Sequence, residues 1–187
     1  ALRLNHEIRQ RWRSALGNVI AGLEFKGVKK SEAIEKGRHW LRRVGLAGFE
    51  DSYPHHLSGG MRKRVSMAQT LIMDPDIILM DESFSALDIQ TRQLMENLLL
   101  DLWSGEKKAV LFITHDLDEA ISMSDRVIVM SAGPASHPIG EFLIDLPRPR
   151  DVTEVRGDPR FVSLHRSIWN VLREEVLKGY ENQMQRK

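Results

Sequence analysis

Apolar residues recur at helical spacing from Ser14 to Glu24 and again from Ser31 to Val44, which predicts two helices, the second capped by Ser31 and closed near Gly45. A third helix is predicted from Ser58, a favourable N-cap, to about Met73, where Asp74-Pro75-Asp76 ends it. The pattern then turns into short apolar blocks. Ile77-Ile78-Leu79-Met80 and Ala109-Val110-Leu111-Phe112-Ile113-Thr114 read as two buried strands, and Arg126 to Ser131 as a third apolar strand. Helical spacing returns from Ile89 to about Leu102 and, briefly, from Leu117 to Met123. Gly133-Pro134 turns the chain, Gly140 to Leu146 predicts a weaker strand before the Pro147-Arg148-Pro149 breaker, and Asp158 to Lys178 predicts a terminal helix.

Strands alternating with helices predict an α/β fold, a largely parallel sheet with helices on its faces. Ligands gather at the carboxyl ends of the strands in such sheets, and Asp81, Glu82 and His115 all stand at such ends. The chain carries no internal repeat and no low-complexity tract.

Composition narrows the function classes. With 27 Lys and Arg against 26 Asp and Glu, the net charge of +1 gives no electrostatic case for attraction to nucleic acid or anionic lipid. The absence of cysteine excludes disulfides and thiolate metal sites and fits a reducing compartment. No apolar run approaches the roughly 20 residues of a membrane-spanning helix. The opening Ala-Leu-Arg-Leu-Asn-His-Glu has neither a signal-peptide core nor a clean helix start, so a chain cut at its front is expected.

Chemistry concentrates in three places. A strand ending in Asp81-Glu82 can hold a magnesium ion with its first carboxylate and orient or deprotonate a water with its second, although solvated acids at a turn would look the same. Upstream, Leu57-Ser58-Gly59-Gly60-Met61 places a Ser cap and two glycines at a helix start, where backbone N–H groups face an anion; a Gly-rich N-cap is the plainer reading. His115 closes the next strand, where a lone histidine is more often a structural polar contact.

Taken in order with Ser85-Ala86-Leu87-Asp88, these segments resemble the ABC-type nucleotide-binding domain, a P-loop NTPase fold with a helical subdomain. Tyr53-Pro54-His55, Ser131-Ala132-Gly133-Pro134-Ala135-Ser136 and Asp145-Leu146-Pro147-Arg148-Pro149-Arg150 look like its nitrate, sulfonate and taurine importer branch, and Trp12 to Val19 resembles the segment that follows that branch's Q-loop. The resemblance implies that Leu57, Ser58, Gly59 and Gly60 form the signature motif. They would bind the γ-phosphate of ATP seated on a second ATPase subunit, arranged head to tail. It further implies Asp81 as the Mg²⁺ ligand, Glu82 as general base, Asp88 in the nucleotide-contacting D-loop, and His115 as the switch histidine that touches the γ-phosphate and holds Glu82. Transmembrane permease subunits and an external solute-binding protein are the implied partners, with no nucleic acid, and the implied location is the cytoplasmic face of the membrane. Residues 1–57 would be the truncated front and helical subdomain, 58–146 the ATPase core from signature to switch histidine, and 147–187 a helical tail.

The family pattern is not complete. No G-x-x-x-x-G-K-[ST] phosphate loop occurs in the 187 residues; the nearest stretch, Gly22 to Lys29, has Val where Lys belongs and reads as the end of a helix and its turn. The chain alone is therefore expected to be inactive, and whether it is an enzyme by itself stays open. Asn5 falls where the Q-loop glutamine should stand, Gln10 is out of register, and Ser83 replaces the usual Pro after the second acid. Two alternatives remain: a non-hydrolytic protein that donates a signature motif to a partner, and a nucleic-acid-associated ABC ATPase using Arg9, Arg11, Arg13 and Arg62-Lys63-Arg64.

Overall fold

In the computed structural model, described residues are 2–3, 10–85, 87–106, 108–133 and 135–184; Asn5, Arg9, Ala86 and Pro134 lie outside them. The chain divides into two compact units, Ala1–Ile113 and Thr114–Lys187.

The first unit runs β1 (Leu2–Arg3), α1 (Ala15–Phe25), α2 (Lys30–Arg43), α3 (Gly59–Leu71), β2 (Ile77–Asp81), α4 (Ile89–Glu106) and β3 (Ala109–Ile113). Ser14 starts α1 by accepting a hydrogen bond from the Gly17 N–H at 3.2 Å. The turn before it is fixed by Asn18, whose buried amide donates to the carbonyls of Gln10, Arg13 and Ser14. Helices α1, α2 and α3 share one apolar core: Leu16, Val19 and Ile20 from the first, Ala33 and Leu41 from the second, Val65, Ala68 and Ile72 from the third. Each large aliphatic side chain buried there contributes about 1.5–3 kcal/mol of transfer free energy. Close approach of α2 to α1 depends on Gly37, where a Cβ would lie 2.5 Å from Ile20 Cγ2 and 2.6 Å from Leu16 Cδ1.

The parallel sheet has the order β1-β2-β3, with Ile77 beside Ala109 and Asp81 beside Ile113. The second unit contains α5 (Leu117–Met123), an antiparallel pair of β4 (Arg126–Met130) and β5 (Pro138–Leu143), and α6 (Pro159–Met184). Its core gathers Ile121, Val129, Ile144, Leu146, Phe161 and Ile168. Among the described residues, no helix is long and apolar enough to cross a membrane.

Several local expectations change. β3, read as a buried strand, exposes Leu111 by 59% and Ile113 by 54%, two residues on one face of the strand, and it is the last strand of its sheet among the described residues. β4 joins β5 in a separate antiparallel pair, and β5 covers Pro138–Leu143 rather than Gly140–Leu146. Lys29, with no side-chain cap bond, occupies the N-cap of α2, leaving Ser31 inside its first turn. The front contributes a two-residue strand, β1, that the helical pattern of the first quarter does not announce.

Candidate functional site

The signature segment is built around the start of α3. A short 3-10 turn, Pro54–His56, leads into Leu57, whose side chain is buried and whose carbonyl accepts from Arg62 Nη1 at 2.5 Å. Ser58 is extended (φ −64°, ψ 165°), and its hydroxyl accepts from the Met61 N–H at 3.2 Å. The first N–H groups of a helix have no intrahelical acceptor, and Ser58 occupies the third of them. The N–H groups of Gly59 and Gly60 are thus left for water or an anion at the positive end of the helix.

The two glycines serve different ends. A Cβ on Gly59 would come no nearer than 3.9 Å to Arg62, so its missing side chain keeps the approach to the N–H groups clear. On Gly60 it would come within 2.9 Å of Thr91 Cγ2, so this glycine lets α3 lie against the first turn of α4. Asp88 caps that turn, its Oδ1 accepting from the Thr91 N–H at 3.0 Å, and this hydrogen bond with Thr91 holds the Asp88 carboxyl below the usual aspartate range. The signature and the D-loop acid therefore meet through Thr91, a residue no motif singles out.

The acid pair sits where β2 leaves the sheet. Asp81 is the last strand residue and half-buried, while Glu82 is exposed. The Glu82 N–H extends the ladder by donating to Ile113 O at 2.8 Å, and its φ of 45° lies in the left-handed region. The turn is closed by Ser85, whose hydroxyl donates to Glu82 O at 2.9 Å. It is anchored by fully buried Phe84, edge-to-face with Phe112 at 5.9 Å. Ser83, in place of proline, is buried, and its hydroxyl has no hydrogen-bond partner among the described residues. Two hard carboxylates at a strand end suit a magnesium ion, and the N–H pair at α3 suits a phosphate.

His115 is exposed and opens the second unit, between Thr114 and the Asp116 cap of α5. Leu57, Ser58, Gly59, Gly60, Asp81, Glu82 and Asp88 all belong to the first.

Of the basic triplet beside the signature, Arg62 is exposed, Lys63 buried and Arg64 half-buried, and the two arginines are engaged with backbone carbonyls. Arg62 binds Leu57 O, Arg64 Nη1 donates to Val44 O and Gly45 O at 3.2 Å each, and Lys63 is buried, which lowers its pKa to about 8. Arg13 is likewise committed, to Glu24 at 2.5 Å.

Residues 4–85 match the family model for ABC transporters. The chain belongs to the ABC transporter ATP-binding family. It is 51% identical over 169 residues to an uncharacterised ABC transporter ATP-binding protein of Methanocaldococcus jannaschii, covering 90% of this chain and 61% of that protein. It is 46% identical to the aliphatic sulfonates import ATP-binding protein SsuB of Mycobacterium sp. (strain MCS), over 88% of this chain and 65% of that one. With the taurine import ATP-binding protein TauB of Rhizobium johnstonii it shares 41% identity, over 86% and 63% respectively. This ABC chain thus spans about three fifths of the length of the curated relatives it matches. A solved ATP-binding cassette, a dimer in a post-hydrolysis state bound to ADP and Pi, superposes with a TM-score of 0.59 at 30% identity, covering 67% of this chain and 56% of that one. The fold is therefore that of a P-loop NTPase.

Proposed function

We propose that this chain supplies the signature, acid-pair and switch-histidine portion of an ATPase subunit that powers an ABC importer for a small organic anion of the taurine or sulfonate type. The observation that carries the reading is the Ser58-capped start of α3, with Gly59 and Gly60 offering N–H groups, on the same unit as the Asp81-Glu82 strand end. The names of the relatives supply the substrate class.

In this reading Ser58, Gly59 and Gly60, backed by buried Leu57, hold the γ-phosphate of ATP bound by a second, head-to-tail ATPase subunit. Asp88 keeps the neighbouring α4 turn in register with that contact. Asp81 holds Mg²⁺, which when bound neutralises phosphate charge. Glu82 accepts a proton from, or orients, the attacking water, a role worth about 10²–10⁴-fold. His115 contacts a γ-phosphate. The subunit works at the cytoplasmic face of a membrane, against permease subunits that receive solute from an external binding protein.

The 187 residues contain no phosphate-gripping loop, so the isolated chain is expected neither to bind ATP at micromolar affinity nor to hydrolyse it. A chimera that joins a P-loop segment of an ABC ATPase to this chain tests the reading. It is expected to hydrolyse ATP, and to lose at least about 10²-fold in rate on Glu82→Gln and comparably on Ser58→Arg, which fills the anion site. Full turnover in both variants would remove the proposal. A chimera that binds Mg-ATP and dimerises without turnover would favour the second reading, a non-hydrolytic donor of a signature motif.

A further inference from the structure

Helix α5 has seven residues, too few to hold itself, and its last carbonyls need outside donors. One buried guanidinium reaches two of them, those of Ile121 and Ser122, together with the carbonyl of the cap residue Ser124. The Arg150 side chain is 2% exposed; its Nη1 donates to Ser124 O at 2.6 Å, Ser122 O at 3.4 Å and Ile121 O at 3.5 Å. Its Nη2 donates to Leu146 O at 2.9 Å and Ile144 O at 3.2 Å, so the same group ties α5 to the segment leaving β5. Arg148 reinforces this end through Met123 O at 3.0 Å and Asp125 Oδ1 at 2.8 Å. At the other end of α5, Asp118 meets Arg156 at 3.5 Å and His165 at 3.6 Å.

A buried cation at a helix carboxyl end is favoured by the helix dipole and disfavoured by desolvation. Desolvation and neighbouring Arg148 lower the Arg150 pKa to about 10 against the opposing pull of Asp125, so the group stays charged at neutral pH. An apolar residue could fill the space but would leave these carbonyls without their donor.

The amino end of α5 runs straight into His115, and both flanking residues are bonded into its first turn. Asp116 Oδ1 accepts from Asp118 N at 2.9 Å and Glu119 N at 3.3 Å. Thr114 Oγ1 donates to Glu119 Oε2 at 2.6 Å and accepts from Asp116 N at 3.0 Å. A shift or fraying of α5 therefore moves the His115 backbone. We propose that Arg150 is a positioning residue for His115, acting through α5 by closing that helix's carboxyl end. The proposal rests on the reading of His115 given above.

The test uses the 187-residue chain without nucleotide, following backbone amides by two-dimensional ¹H–¹⁵N NMR and hydrogen exchange. In Arg150→Met the His115 and Asp116 amides are expected to shift or broaden. The Ala120 and Ser124 amides, bonded to Asp116 O and Ala120 O, should exchange at least about tenfold faster. Arg150→Lys, which keeps a charge but cannot span both carbonyl sets, should give smaller changes at the same residues. It decides the matter if the methionine variant does not fold. Arg160→Met, an exposed arginine paired with Asp158, should change neither set. His115 and Asp116 signals that superimpose on the parent while Ser124 moves would overturn the proposal. In the chimera, Arg150→Lys should lower kcat and leave KM unchanged. If instead His115→Ala keeps full turnover, the reading of His115 fails while the mechanical link, measured without ATP, stands.

Discussion

Glu82 carries two demands that conflict. Its carboxylate is placed for water activation at the end of β2, and its backbone is held at φ 45°, where a side chain crowds the main chain. Relief of about 1–2 kcal/mol outweighs the ~0.5–1 kcal/mol of chain entropy that glycine loses on folding. Glu82→Gly is therefore expected to raise the stability of the chain by about 0.5–1 kcal/mol in urea melts while abolishing turnover in the chimera; unchanged or lower stability would mean the turn is unstrained. Lys63 offers a pH readout at the same scale. Burial lowers its pKa to about 8, against about 10.4 in the unfolded chain, so between those values the unfolded state binds more protons and this group's contribution to stability rises with pH. The Tm of the parent minus that of Lys63→Met should therefore rise from pH 7 to pH 10. A constant difference would show that the folded Lys63 titrates normally.

At the scale of elements, the helices that follow a strong cap were legible, because a Ser hydroxyl at Ser14 or Ser58 satisfies a helix-start N–H whatever surrounds it. Ser31 misled. The Gly27 turn, at φ 76°, delivers the chain into α2 early enough for Lys29 O to accept the first helical bond, from Ala33 at 2.9 Å. The acid pair and the signature were legible for a related reason, since short apolar blocks and a Ser-Gly-Gly cap fix their own local geometry. The exposure of β3 and the clamp on α5 were not, because both depend on which distant segment lies alongside, and no spacing encodes that. The left-handed backbone of Glu82 was equally silent, as glutamate carries no preference for it. Close contact between α1 and α2 is a pairing of this kind, visible only once Gly37 meets Ile20 and Leu16. Gly37→Ala forces those buried side chains aside and is expected to cost about 1–3 kcal/mol despite alanine's better helix propensity. Greater stability in thermal melts would show that the interface has slack.

Over the whole molecule, the apolar sequence that makes β3 read as a buried strand leaves a surface for association. Leu111 and Ile113 are more than half exposed and Val110 is 36% exposed, on a strand that pairs only with β2 among the described residues. A strand edge with unpaired N–H and C=O groups is a template for another strand, and nothing in β3 itself, Ala-Val-Leu-Phe-Ile, supplies a charge or proline to discourage it. The 187-residue chain should therefore self-associate as its concentration rises, with the growth visible in light scattering. Leu111→Lys places a charge on that edge, and because Leu111 is already exposed the change should alter stability by no more than about 0.5 kcal/mol. Ile89→Lys makes the same chemical change at a residue 71% exposed on the first turn of α4, away from any strand. If strand pairing drives association, the Leu111 variant suppresses it and the Ile89 variant does not; equal suppression by both would mean that net charge, rather than the β3 edge, governs it.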